Sequence, residues 1–238
     1  MSESESFPVN KLLAALPEAE YQRLAPHAER VELFSKQVLY EPNEPIEAVY
    51  FPTEGVVSLV SMLEDGAASE ISSIGREGLV GFPAFLGGIL TPSYAIVQIS
   101  GSALVLDATI LKQEFDKGGL LYRLLLLYTQ ALLARVSQTT ACNSKHAIEQ
   151  RLARWLLFAS DCVERDELEV TQGAIAKMLG IRRSSVTVAA SLLQQAGILQ
   201  YRRGRIKISD RTALEARTCE CYFLVKNEYF RLLGFTRL

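Results

Sequence analysis

Residues 170–208 constrain the fold more strongly than any other stretch of this 238-residue chain. Thr171 can cap a first short helix by accepting a backbone N–H bond through its hydroxyl. Apolar residues then recur at helical spacing, and Gly180 can end the helix in the left-handed conformation. A second amphipathic helix follows and meets its own stop at Gly197. The stretch therefore predicts two short helices joined by a tight turn.

A basic hairpin is predicted directly after these helices. Two apolar-patterned runs, 198–201 and 206–208, flank the charged tip at 202–205. Together the parts predict a winged helix-turn-helix, in which the first turns of the second helix meet base edges in the major groove. The alternative is an ordinary two-helix corner with a solvated basic hairpin.

The net charge of −2 hides an uneven distribution of charge along the chain. Residues 1–117 carry seven Lys/Arg against 17 Asp/Glu, whereas residues 168–211 carry eight Lys/Arg against two Asp/Glu. Phosphate would repel the first segment and attract the second. This division favours one DNA-facing module.

The composition is that of a soluble globular protein, with 49% hydrophobic and 22% charged residues. The N-terminus is acidic and polar where a signal peptide needs a basic region. The most apolar run, 120–127, contains Arg123 and is too short to span a bilayer. We therefore expect a cytoplasmic protein without membrane contact.

The four cysteines do not predict a metal site. Cys219 and Cys221 lack the two-residue spacer common in zinc sites, and no second pair or His-rich partner lies near them in the sequence. Structural cysteines are the interpretation, with no metal and no cofactor, and a redox or metal role is the alternative. His27 and His146 are interpreted as ordinary histidines.

Residues 31–106 consist of short β-like pieces separated by Gly/Pro turns, which is typical of an all-β sandwich or barrel. Among the predicted turns are Glu54-Gly55 and Ser100-Gly101, which would separate two pairs of short strands. Apolar residues at alternate positions indicate a half-buried antiparallel sheet.

Helix formers dominate after Gly118-Gly119, and apolar residues occupy more than one face of the long helix that follows. One small domain would not cover so wide an apolar surface, so we expect self-association through this helix. The alternative is that the helix packs wholly on its own β domain. The residues predicted for the dimer contact are Leu121, Leu124, Leu125, Tyr128, Leu132 and Val136.

The order of these parts resembles the Crp/Fnr superfamily of bacterial transcription regulators. The most specific matching pieces are residues 151–157, 170–188, 201–206 and 219–222. The resemblance implies an α+β fold with a cyclic-nucleotide-binding-like β jelly roll at 1–115, a central dimerisation helix at 116–145 and a winged helix-turn-helix with a C-terminal tail at 146–238.

The resemblance also implies which residues meet DNA. Arg183 falls where relatives use an arginine to read guanine, and a guanidinium suits the O6/N7 edge. Ser184 and Val188 stand where relatives often carry charged residues, so we expect a different operator. The predicted base-reading residues are Arg182, Arg183, Ser184, Ser185, Thr187 and Val188. The predicted phosphate contacts are Thr171, Gln172, Arg202, Arg203 and Arg205.

The effector pocket departs from the pattern of the cyclic-nucleotide-binding relatives. Residues 78–83 lack the glutamate that follows the cassette glycine, and residues 92–95 lack the arginine that pairs with the phosphate. We expect cyclic AMP and cyclic GMP to bind weakly, and the small-molecule effector stays open.

The predicted function is a homodimeric, sequence-specific DNA-binding regulator acting at palindromic promoter sites, with RNA polymerase as a candidate partner. No catalytic constellation is present and two histidines leave little general acid–base capacity, so no enzyme activity is expected. The alternative function is a non-catalytic ligand-sensing or protein-interaction module with incidental DNA affinity.

Overall fold

A computed structural model describes residues 10–235, so the first nine and last three residues of the predicted domain ranges lie outside it. The strands are β1 Glu29–Leu33, β2 Val38–Tyr40, β3 Ala48–Met62, β4 Ala68–Ile74, β5 Tyr94–Asp107, β6 Glu167–Glu169, β7 Leu199–Arg202 and β8 Arg205–Ile208. The helices are α1 Lys11–Ala14, α2 Glu18–Leu24, α3 Pro83–Leu86, α4 Ala108–Asp116, α5 Gly119–Lys145, α6 Ile148–Val163, α7 Gln172–Leu179, α8 Arg183–Gln195, α9 Arg211–Arg217 and α10 Cys221–Leu233, with one 3₁₀ turn at Ala25–His27.

The N-terminal part is an antiparallel β-roll with strand order β1-β5-β3-β4, and β2 also pairs with β5. Two long strands, β3 and β5, replace the separate short strands that the sequence predicted on either side of Gly55 and Gly101. A Cβ on Gly55 would stand 2.6 Å from the carbonyl oxygen of Ile99, and one on Gly101 would stand 2.2 Å from that of Glu54. The two glycines therefore mark register shifts where backbones approach closely, and the prediction of turns there was wrong.

The long central helix α5 is covered on most of its apolar surface by its own chain. It packs against β4, α4 and α10. Five of the six residues predicted for the dimer contact are buried in the N-terminal core, and Val136 is half-buried; the five are Leu121, Leu124, Leu125, Tyr128 and Leu132. The assignment of these side chains to a dimer surface is therefore corrected, because the β-roll and α10 already cover them.

The C-terminal part forms the predicted winged helix-turn-helix. α7 and α8 bury their apolar faces with α6 in one core, and β6 adds a third strand beside β8 and β7. The wing is tighter than predicted because only Arg203 and Gly204 lie between its strands. Both have positive φ, 46° and 83°, as a two-residue hairpin turn of type I′ requires.

The β-roll and the winged domain share a packed junction. Val56 and Ile99 of the β-roll belong to the same buried cluster as the α6, α7 and α8 side chains. Strand β4 contacts α7, and β3 contacts α6. The position of the winged domain is thus fixed by apolar packing as well as by the chain connection.

Within residues 10–235, α5 is the one helix whose length and apolar composition would suit a membrane span. A core helix of a soluble protein has the same properties, and α5 buries Leu121, Leu124, Leu125 and Leu132 against the β-roll and α10.

Candidate DNA interface and domain junction

The helix-turn-helix is built by the local signals that the sequence predicted. The hydroxyl of Thr171 accepts a hydrogen bond from the backbone N–H of Ala174 at 3.2 Å and caps α7. Gly180 ends α7 with φ 62°, and Gly197 follows α8 with φ 74°. The guanidinium of Arg151 on α6 donates to the carbonyl of Leu179, the last residue of α7. This bond ties the turn between α7 and α8 to α6.

The predicted base-reading residues form one solvent-facing surface at the start of α8. Arg182, Arg183, Ser184, Thr187 and Val188 are exposed, whereas Ser185 is half-buried. Val188 is 61% exposed although it is apolar, and it lies one turn beyond the two arginines. A surface of this composition can offer guanidinium donors and a methyl contact to base edges.

The predicted phosphate contacts come together from α7 and the wing. The backbone N–H of Gln172 donates to the hydroxyl of Tyr201 at 3.4 Å, and a Cβ on Gly204 would lie 3.6 Å from the methyl group of Thr171. The Thr187 hydroxyl also donates to Oε1 of Gln172 at 2.8 Å. The beginning of α7 therefore lies beside the tip of the wing.

The arginines of the wing are not equivalent. Arg202 and Arg203 are exposed, and neither forms an ion pair within the described part of the chain. Arg205 is exposed too, but its guanidinium lies 2.7 Å from the Glu169 carboxylate and 3.5 Å from that of Glu167. The two carboxylates of β6 therefore neutralise part of the charge that Arg205 could offer to a phosphate.

The segment that would form a nucleotide cassette is filled by apolar side chains. Leu79 and Val80 are fully buried, and Phe82 packs against the β-roll core. The hydroxyl of Tyr128 on α5 donates to the carbonyl of Leu79 at 2.9 Å, which holds the segment against the central helix. Ser93 in the later segment is also buried.

Arg135 of α5 is the polar centre of the domain junction. Its guanidinium lies 2.7 Å from the Glu77 carboxylate and also donates to the Ser73 carbonyl; both arginine and glutamate are buried. It stacks on two rings, 4.5 Å from the centre of Phe158 on α6 and 4.4 Å from the centre of Tyr229 on α10. One side chain thus contacts the β-roll, α6 and α10 together.

Arg135 also lines a cavity of about 40 Å³, which the buried carboxyl of Glu70 reaches from β4. Burial raises the pKa of the Glu70 carboxyl, although the hydroxyls of Ser58 and Ser73 donate to it and partly oppose that shift. The cavity is far smaller than the roughly 300 Å³ at which pockets for small-molecule ligands begin. Apolar side chains of α6 and α10 line it together with these polar groups, and it has no room for a nucleotide.

The sequence prediction missed both Arg135 and Glu70. A signal for Arg135 was present, since an arginine at an inward position of the apolar pattern of α5 needs a buried partner. Glu77 could not be identified as that partner from a single sequence because 58 residues separate the two.

Two family models match the chain. A Crp-like helix-turn-helix domain matches residues 150–217, and a cyclic nucleotide-binding domain matches residues 30–117. No curated protein matches the chain in sequence.

Solved structures share the fold. FixK2 from Bradyrhizobium japonicum is 20% identical with a TM-score of 0.69, over 81% of this chain and 98% of its own. A CRP-family transcriptional regulator from Thermus thermophilus is 22% identical with a TM-score of 0.65, over 79% of this chain and 95% of its own. The c-di-GMP responsive global regulator CLP from Xanthomonas campestris is 18% identical with a TM-score of 0.64, over 81% of this chain and 99% of its own.

Proposed function

We propose that this chain, which belongs to the Crp/Fnr superfamily of transcription regulators, binds palindromic promoter DNA as a homodimer. It carries the cyclic nucleotide-binding-like domain and the helix-turn-helix of that superfamily. The proposed role is non-catalytic and cytoplasmic, with double-stranded DNA as the principal partner and RNA polymerase as a further one.

The exposed arginines at the start of α8 are the observation that carries this proposal. Arg182 and Arg183 are exposed, and within residues 10–235 neither enters an ion pair. Their guanidinium groups are therefore free to form bidentate hydrogen bonds to guanine and charge-assisted bonds to phosphate. Thr171, Gln172, Arg202 and Arg203 extend the same surface toward the flanking backbone, and Arg205 joins them if its carboxylate partners release it.

The proposed dimer contact uses the opposite face of α5 from the one expected. Leu126 and Leu133 are 39% and 62% exposed, and their spacing of seven residues places them on one face of the helix. Leu127 and Ala134 flank them and are half-buried. A second copy of α5 packed along this face would cover these side chains, and a two-fold dimer would match a palindromic operator.

The signal for this regulator is proposed to be something other than cyclic AMP or cyclic GMP. Apolar side chains fill the cassette, and the chain has no arginine in the segment around Ser93 to pair with a cyclic phosphate. In calorimetric titration of the full chain we expect no binding at micromolar nucleotide. A micromolar or tighter affinity would refute this part of the proposal.

The main experiment selects bound sequences from random DNA and then measures affinity in gel shifts across a salt series. We expect a palindromic consensus, one dimer per site, and an affinity that falls steeply with salt. The matched control is a Leu133→Glu variant, which should remain folded and bind the palindrome much more weakly. Equal affinity for all sequences would favour a ligand-sensing or protein-interaction module with incidental DNA affinity.

A further inference from the structure

The end of α5 and the start of α10 bring together a compact set of metal-binding side chains. Cys142 lies in the last turn of α5 and His146 caps the end of that helix four residues later, while Cys221 begins α10 and Cys219 stands two residues before it. One ligand atom from each residue lies within 4.8 Å of the other three. The three cysteines are buried, and the His146 side chain is 19% exposed.

The distances among these atoms suit a tetrahedral ion. The sulfurs of Cys142 and Cys219 are 3.5 Å apart, and the Cys221 sulfur lies 3.4 Å from Nδ1 of His146. Zn²⁺ bound tetrahedrally with Zn–S of about 2.3 Å and Zn–N of about 2.0 Å separates its ligand atoms by about 3.5 to 3.8 Å. Two of the six distances between ligand atoms therefore lie close to tetrahedral values, and the remaining ones are within 4.8 Å.

The surroundings orient the ligands as metal sites require. Nε2 of His146 lies 3.3 Å from the Glu220 carboxylate, which favours a proton on Nε2 and leaves the Nδ1 lone pair directed toward Cys221. The side-chain amide of Gln138 donates to the Cys221 sulfur at 3.0 Å. Histidines that bind metals commonly donate their other ring N–H to a carboxylate in this way. A disulfide between Cys142 and Cys219 would involve neither His146 nor Glu220, so the pair favours metal binding.

We propose that Cys142, His146, Cys219 and Cys221 bind one Zn²⁺ as a Cys₃His site. On binding, the three thiols release their protons to solvent and coordinate as thiolates. His146 is the residue that ends α5 before α6 begins, and Cys219 follows α9 of the winged domain. The ion fastens α10 to the end of α5, beside the two-residue connection that leads into α6.

The test uses the full chain, purified under reducing conditions, freed of metal with a chelator and titrated with Co²⁺ and then Zn²⁺. We expect one ion per chain, with the visible bands of tetrahedral Co²⁺ and a near-ultraviolet thiolate-to-cobalt band. Zn²⁺ should abolish both sets of bands. Neither readout involves DNA, so the result is independent of the proposed DNA-binding function.

Variants separate coordination from packing. Cys219→Ser should abolish the tetrahedral spectrum, while Cys162→Ser, the matched buried cysteine outside the cluster, should keep it. His146→Cys should retain one ion and strengthen the thiolate band. Because Glu220 is exposed, Glu220→Gln should fold normally, and it should weaken Zn²⁺ binding by about 10-fold to 100-fold.

Three outcomes would overturn the proposal. The first is a wild-type chain that shows no tetrahedral cobalt spectrum. The second is a Cys219→Ser variant that keeps the spectrum of the wild type. The third is a reduced chain that takes up no metal and forms only a Cys142–Cys219 disulfide on oxidation.

Discussion

The start of α8 and the domain junction both carry arginines, but in opposite settings. Arg183 at the start of α8 is exposed and has no carboxylate partner among the described residues. Arg135 at the junction is buried, paired with Glu77 and stacked between two aromatic rings. The first charge is available to a ligand, whereas the second is already committed to the fold.

The difference lies in what surrounds each guanidinium. A buried charge is tolerated only with a partner, so Arg135 and Glu77 depend on each other. An exposed, unpaired guanidinium costs the fold little and keeps its hydrogen-bonding capacity for DNA. Arg205 is intermediate, since it is exposed but paired with Glu169. Five substitutions test this division.

The largest expected effect is at the junction. Glu77→Gln leaves the Arg135 guanidinium buried without its countercharge and should lower the free energy of unfolding by about 3–5 kcal/mol. Urea denaturation of the full chain measures this loss. The matched control is Glu64→Gln in an exposed turn, which should change stability by less than about 0.5 kcal/mol. A loss below that of an ordinary surface change would show that the ion pair does not stabilise the junction.

Arg183→Ala should change DNA recognition and leave stability almost unchanged, the reverse of Glu77→Gln. We expect the base preference at one position of each half-site to fall by about 1–3 kcal/mol, because a bidentate contact to guanine is lost. Stability should stay within about 0.5 kcal/mol of the wild type, as for other exposed positions. Competition gel shifts with single-base operator variants provide the measurement, and Arg231→Ala on α10 is the control. An unchanged preference would remove Arg183 from the reading set.

A smaller difference is expected between the unpaired Arg203 and the paired Arg205 of the wing, in the salt dependence of DNA affinity. Arg203→Ala should lower the slope of log affinity against log salt by about 1, equally for specific and unrelated DNA. Arg205→Ala should lower it less, because Glu169 already neutralises part of its charge. Binding to unrelated DNA between low and moderate salt measures both slopes. If the slopes fall equally, the Arg205–Glu169 pair opens when DNA binds.

The smallest expected effect is a change in pH dependence at the junction. Burial raises the pKa of Glu70 in the fold, so the folded state binds this proton more tightly than the unfolded chain. Its contribution to stability is therefore complete below the ordinary glutamate pKa of about 4.3, and it declines as pH rises through the raised value. Glu70→Gln should remove this decline and stabilise the chain most at neutral pH. Urea denaturation of both proteins at a series of pH values from acidic to neutral measures this. If the free energy of unfolding changed with pH equally in the wild type and in Glu70→Gln, the prediction would be contradicted.

Local signals predicted the winged domain closely, because its boundaries are set by neighbouring residues. Thr171 caps α7, and Gly180 and Gly197 follow the two helices as predicted. The family resemblance and the order of the two domains are also confirmed by the matching family models, and the structure places α5 between them. The individual DNA contacts remain predictions.

Features that depend on distant parts of the chain were not predicted. The apolar pattern of α5 showed that it is buried but not which partner covers it, and α10 begins 76 residues after α5 ends. Cys219 and Cys221 lie beside Cys142 and His146 because of that same packing, which the sequence did not show. The four-residue spacing of Cys142 and His146 was a usable signal. Only the packing of α10 against α5 brings these two residues to Cys219 and Cys221.

The short connection between α5 and α6 makes the winged domain sensitive to small rotations. Only His146 and Ala147 separate the two helices, and α6 has 16 residues. A helix of that length extends about 24 Å, so a tilt of about 5° at its first residue moves its far end by about 2 Å. A hydrogen bond to a base edge does not survive such a displacement. The apolar junction between the β-roll and the winged domain must therefore resist rotations of about 5° if contacts between α8 and base edges are to be kept.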